Sequence, residues 1–100
     1  MTTETAADKP KGNPPVHEIS DGLLKAAIWK QASEHGPQYS VTFRRRYKDK
    51  GGDWQDSYSF NPDDLLALRE LAREAREWIN QQRRADREAR REKESEAAVA

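Results

Sequence analysis

Polar and apolar residues alternate through the first half of the folded stretch and then change period once. In residues 39–47, Tyr39, Val41 and Phe43 fall on one side of an extended strand, and Ser40, Thr42, Arg44 and Arg46 on the other. Residues 54–60 alternate Trp54, Tyr58 and Phe60 against Gln55, Ser57 and Ser59. Residues 23–30 set Leu24, Ala26 and Ile28 against Leu23, Lys25, Ala27 and Trp29. Helix is a rival for that segment, since Leu, Lys and Ala are good helix formers. Turn residues on both sides leave it about eight residues, which favours a strand. Residues 16–19 make a short first strand, closed by Ser20-Asp21-Gly22. Lys48 to Asp53, with Gly51-Gly52, forms a polar hairpin tip.

From Asn61 onward the period becomes helical. Asn61 suits an N-cap, Pro62 suits N1, and Asp63 and Asp64 complement the positive end of the helix dipole. Leu65, Leu68, Leu71, Ala72, Ala75, Trp78 and Ile79 form one apolar stripe. The stripe needs a partner, and the apolar side of the sheet supplies it. The predicted fold class is α+β: a four-stranded antiparallel sheet followed by one C-terminal helix, β-β-β-β-α. Residues 16–81 make that domain, 1–15 a disordered leader, and 82–100 a charged tail that is either a fraying extension of the helix or disordered. A domain this small, with open sheet edges, is expected to dimerise through helices or edge strands.

Composition narrows the class. No apolar run approaches the ~18 residues of a membrane span, so no membrane partner is expected. There is no cysteine, which excludes disulfides and thiolate metal sites and favours an intracellular, cytoplasmic protein. His17 and His35 have no metal-ligand spacing, and Asp63-Asp64 is explained by the helix start. Gly51-Gly52 lacks the strand-to-helix context of a phosphate loop. No catalytic constellation emerges, so a cofactor, a small-molecule substrate and an enzymatic activity are not expected.

Charge changes the picture once it is segmented. Lys+Arg and Asp+Glu are both 18, a formal net charge of zero. Residues 23–60 nevertheless carry seven basic against four acidic residues, and five of the seven lie within 44–50. A basic β-surface with interleaved aromatics is what single-stranded nucleic acids use, with cations on phosphates and rings on unpaired bases. Strict alternation places Lys25, Trp29, Thr42, Arg44, Arg46, Ser57 and Ser59 on the solvent side. Trp29 is the informative one: facing out, it is free to stack on a base and to be quenched by it. Its other use is to cover a sheet edge or a dimer partner, and the other use of Arg44-Arg45-Arg46 is edge protection.

Across residues 42–65 the chain resembles the C-terminal domain of the positive cofactor four family of transcriptional coactivators. The matching features are Phe43-Arg44-Arg45-Arg46-Tyr47, the tip Lys48-Asp49-Lys50-Gly51-Gly52-Asp53-Trp54, and the helix start Phe60-Asn61-Pro62-Asp63-Asp64-Leu65. The resemblance implies a curved four-stranded sheet followed by one helix, a dimer through helix and strands, and single-stranded DNA on the sheet. It implies that Arg44 is the family's third-strand arginine and Tyr47 its stacking aromatic. Where the family has lysines between hairpin and helix, this chain has Gln55-Asp56-Ser57-Tyr58-Ser59. By alternation Tyr47 shares the Phe43 side and reaches Arg44 only through a bulge. The expected nucleic-acid residues are Lys25, Trp29, Arg44, Arg46, Tyr47, Lys48 and Lys50, with single-stranded DNA or RNA as partner, in a transcription or replication accessory factor. The alternative is a protein-interaction module that docks a partner on the same sheet and its edge.

Overall fold

A computed structural model describes residues 13–99. Four strands, β1 (His17–Asp21), β2 (Leu24–Gln31), β3 (Gln38–Lys48) and β4 (Trp54–Ser57), precede one long helix, α1 (Leu65–Val99). The sheet is an antiparallel meander in the order β1-β2-β3-β4, so the fold is the β-β-β-β-α arrangement that the periodicity predicts. Most of the predicted leader, residues 1–12, lies outside the described residues, and 13–15 have no regular structure.

The contested segment is a strand because it is the most buried one. Leu24, Ala26, Ala27, Ile28 and Trp29 are all buried between β1 and β3. A helix there would present only one stripe to the core and leave the edges of β1 and β3 unpaired. The β1–β2 turn needs a positive φ, and Gly22 supplies it at 61°.

The tip is narrower than its sequence suggests. The Asp49 N–H donates to the Asp53 carbonyl at 2.8 Å, and the Asp49 carboxylate accepts from the N–H groups of Gly51 and Asp53 at 2.9 and 3.0 Å. Those bonds, the one from Asp53 foremost, hold the Asp49 carboxyl below its usual range. Lys48 and Trp54 are the cross-strand pair that closes the loop.

The fourth strand stops at Ser57, three residues before its predicted end. The chain then leaves the sheet to carry Phe60 onto the core and to start the helix. Arg45 steadies this exit. Its Nε donates to the Ser59 carbonyl at 3.3 Å and lies 3.4 Å from the Asp64 carboxylate. A single 3-10 turn, Pro62–Asp64, opens α1, and the Asn61 N–H donates to Asp64 Oδ2 at 2.9 Å, half of a capping box.

The helix crosses β1 and β2. Leu24, Ala26 and Leu71 are the centre of the core, with Ile19, Val41, Phe43, Phe60, Ala67 and Leu68 packed around them. Small residues at Ala26 and Ala75, both buried, let the backbones approach closely. Trp78 lies flat on His17, centroids 4.7 Å apart and planes 3° from parallel, with Tyr39 edge-on at 6.4 Å. Leu65 faces solvent in spite of its place in the stripe.

The charged tail continues the helix as far as Val99, and α1 runs about 52 Å at 1.5 Å per residue. One tie to the sheet lies well beyond the apolar stripe. Asp86 accepts a 2.6 Å bond from the Tyr39 hydroxyl and a 3.4 Å contact from Lys30 Nζ. The Tyr39 bond first, then Lys30, holds the Asp86 carboxyl below the usual range. Burial and the bond to Asp86 push the Tyr39 hydroxyl up. A carboxylate depressed in the folded state stabilises above its unfolded pKa of ~3.9 and loses that contribution as pH falls through the folded value. Asp86→Asn is therefore expected to lower stability at neutral pH. The gap to wild type should shrink below about pH 4, as read by urea denaturation across a pH series.

Among the described residues no helix is long and apolar enough to cross a membrane. No cluster of three or more His, Asp or Glu there is arranged to hold a metal ion.

Candidate nucleic-acid interface

Cross-strand partners share a face, so the register assembles the side of the sheet away from α1 rung by rung. Ser20, Lys25 and Arg44 make one rung, Glu18, Ala27 and Thr42 the next, and Trp29 with Ser40 the third. On the β4 side, Arg46 opposes Asp56 and Lys48 opposes Trp54. Four of the seven expected nucleic-acid residues, Lys25, Arg44, Arg46 and Lys48, thus form one basic surface. Lys50 sits exposed on the adjoining turn.

Trp29 lies on this face, as expected, but it is not open. It is 6% exposed. Its indole N–H reaches diagonally past its direct partner Ser40 and donates to Thr42 Oγ1 at 3.1 Å. A tryptophan in the middle of a sheet gains by lying down on its small neighbours and satisfying its one donor, and Ala27 leaves room for that. Trp29 is thus a structural residue of the face and not a free stacking platform.

Tyr47 is on the other side. It opposes Gln55 in an unbroken register, with no bulge, and its ring sits 5.6 Å from the Arg45 guanidinium. Strict alternation holds, and it separates Tyr47 from Arg44, Arg46 and Lys48.

The exposed aromatic of the basic face is Trp54, at 49% exposure. The Arg46 guanidinium and the Lys48 ammonium both approach its ring, each 5.6 Å from the centroid. The alternation of residues 54–60 places Trp54 with Tyr58 and Phe60 on the core side; Phe60 does pack on the core, but Trp54 does not. Ser57, expected outside, opposes Arg45 on the helix side, and Ser59 is beyond the strand. The signal was the tip: a loop closed between Lys48 and Trp54 makes those residues direct partners, and partners share a face.

Asp56 tempers the charge. Its Oδ1 lies 3.5 Å from Arg46 Nε and 3.8 Å from Arg44 Nε. Arg46 Nε is shut off from solvent and has no aligned hydrogen bond among the described residues. With partly exposed partners, such pairs contribute ~0–1 kcal/mol, so a phosphate can displace the carboxylate. Arg45, the middle of the three arginines, is spent on the helix start.

Comparison with family models, with curated proteins and with solved structures finds no match to the chain.

Proposed function

We propose that the sheet face bearing Lys25, Arg44, Arg46, Lys48 and Trp54 binds single-stranded nucleic acid. One observation carries this: the half-exposed Trp54 ring stands on the basic face between Arg46 and Lys48. A flat ring beside two cations suits an unpaired base with its flanking phosphates, and it does so with little regard to sequence. The protein then acts by binding, as an accessory factor in transcription or replication, inside the cell where DNA is handled.

Titration of a labelled oligo-dT at low and moderate salt tests this. Affinity is expected to fall steeply with salt, and absence of binding at micromolar protein in low salt overturns the proposal. Asp56→Asn frees two arginines from their shared carboxylate, so it is expected to tighten binding several-fold. Unchanged or weaker binding by that variant would mean that Arg44 and Arg46 are not the phosphate contacts.

A second function, strand docking, is favoured by the edge of β3. β4 pairs only with Arg45–Lys48, so residues 38–44 have no strand on that side among the described residues. The Arg46 N–H points to Leu23 in the direction of β2. By alternation, Tyr39, Val41 and Phe43 turn their backbone groups to the open side. A partner strand, including that of a second copy, would complete the sheet there. Sedimentation tests it. Val41→Pro removes an outward N–H without touching the β2 ladder and is expected to abolish self-association while sparing oligo-dT binding. A dimer that survives this change does not use the edge.

A further inference from the structure

The long helix gathers several of its arginines on one flank. At 3.6 residues per turn, Arg76, Arg83, Arg87 and Arg90 fall on the flank toward the open edge of β3. Glu70, Glu74, Glu77, Glu88 and Glu92 fall on the other. The basic flank ends in a cleft of about 430 Å³ between the helix and the β2–β3 loop. His35 and Pro37 form its loop wall, and Arg83, Arg84, Arg87 and Arg90 its helix wall.

The cleft is built and short of negative charge. Among the described residues Asp86 is the only carboxylate lining it, and Tyr39 and Lys30 already hold that group. Arg90 makes a loose 3.6 Å pair with Glu94, both mostly exposed. Arg83, Arg84 and Arg87 make no ion pair among the described residues. Like charges three and four residues apart repel along a helix, so these arginines are a cost unless an anion joins them. The loop is fixed by a turn in which the Gly36 N–H donates to the Ser33 carbonyl at 3.1 Å. Gly36 takes a φ of 105° where the loop meets the helix, and a Cβ there would stand 3.8 Å from Arg90 Nη1. The Asp86 clamp holds the other wall. A ligand would find both walls already in place.

We propose that this cleft binds a short chain of phosphates. Guanidinium forks match phosphate oxygens in pairs, which a lone ammonium cannot do. From Arg83 to Arg90 the helix rises about 10 Å, too long for one phosphate and suited to several in a row. The volume is in the range of small-ligand sites. The walls offer no aromatic ring other than His35, so charge and hydrogen bonding select the ligand. A free oligophosphate and the phosphorylated 5′ end of a nucleic acid share this chemistry. The cleft lies on the helix side of the sheet, so it stands whether or not the opposite face binds nucleic acid.

Calorimetric titration of the full chain with inorganic tripolyphosphate tests it. Saturable binding is expected, weakened about tenfold or more in Arg83→Ala/Arg87→Ala. A control double, Arg69→Ala/Arg91→Ala, removes the same charge from helix positions that do not line the cleft and is expected to stay within about twofold. Circular dichroism at 222 nm confirms the helix, which alanine favours. No saturable binding by wild type, or equal losses in the two helix doubles, overturns the site. Competition then identifies the source. Displacement by 5′-phosphorylated but not 5′-hydroxyl oligo-dT assigns a nucleic-acid end, and displacement by neither assigns a free oligophosphate. Equal displacement by both means backbone phosphates and overturns the short-chain ligand.

Discussion

Leu71→Ala is expected to cost 2–5 kcal/mol, a typical figure for truncating a fully buried leucine. Leu71 is 0% exposed and fills the contact between α1 and the middle of the sheet. Its neighbours Leu24 and Ala26 are held by the β2 ladder, which is bonded on both sides, so the space it leaves cannot close. Total stability of small domains is 5–15 kcal/mol, and a core this size falls at the low end. The variant should therefore be largely unfolded at modest urea concentration. Urea denaturation followed by circular dichroism and tryptophan emission reads this directly. Leu66→Ala is the control: that side chain is 68% exposed, and its loss should fall within about 0.5 kcal/mol of wild type. Equal stability of Leu71→Ala and Leu66→Ala would mean that the helix does not pack on the sheet through this stripe.

Trp54→Ala is expected to weaken oligo-dT binding about 5- to 150-fold, the loss of one stacked base at ~1–3 kcal/mol. The slope of log affinity against log salt should not change, because a neutral ring releases no counterion. Arg46→Ala should do the reverse in kind, reducing that slope by ~0.7 for a single strand. The two variants thus separate stacking from charge on one face. Intrinsic fluorescence distinguishes Trp54 from Trp29. Binding is expected to quench Trp54, and the quench should vanish in Trp54→Phe. It should persist in Trp29→Phe, since the Trp29 ring is covered and its N–H is taken by Thr42. Quenching that follows Trp29 instead would mean that the face opens on binding.

The zero net charge resolves into three structural parts. The sheet face gathers Lys25, Arg44, Arg46 and Lys48 against Glu18 and Asp56. The helix, nearly neutral in sum, gathers Arg76, Arg83, Arg87 and Arg90 on the flank toward the open edge of β3. Asp86 crosses from helix to sheet and ties the two layers together through Tyr39 and Lys30. Association governed by local fields rather than by the total can thus occur on two separate surfaces.

Local chemistry was enough for the element order, the helix start at Asn61, the glycine-bearing tip and the core side of β2 and β3. It also told that Arg44 and Arg46 share a face and that Tyr47 does not join them without a bulge. These are properties of alternation and of capping, which act within a few residues of chain. Three other outcomes belonged to the tertiary structure. Trp54 came to the basic face because pairing with Lys48 set the register of β4, and a one-residue slip flips every side chain. Trp29 was covered because its diagonal neighbour, Thr42, belongs to another strand and offers an acceptor. The tail gained its tie at Asp86 from residues 47 and 56 positions earlier in the chain. Sequence periodicity says which side of its own strand or helix a residue takes. Register, cover and long-range partners depend on where other segments are placed, and only packing the whole chain decides them.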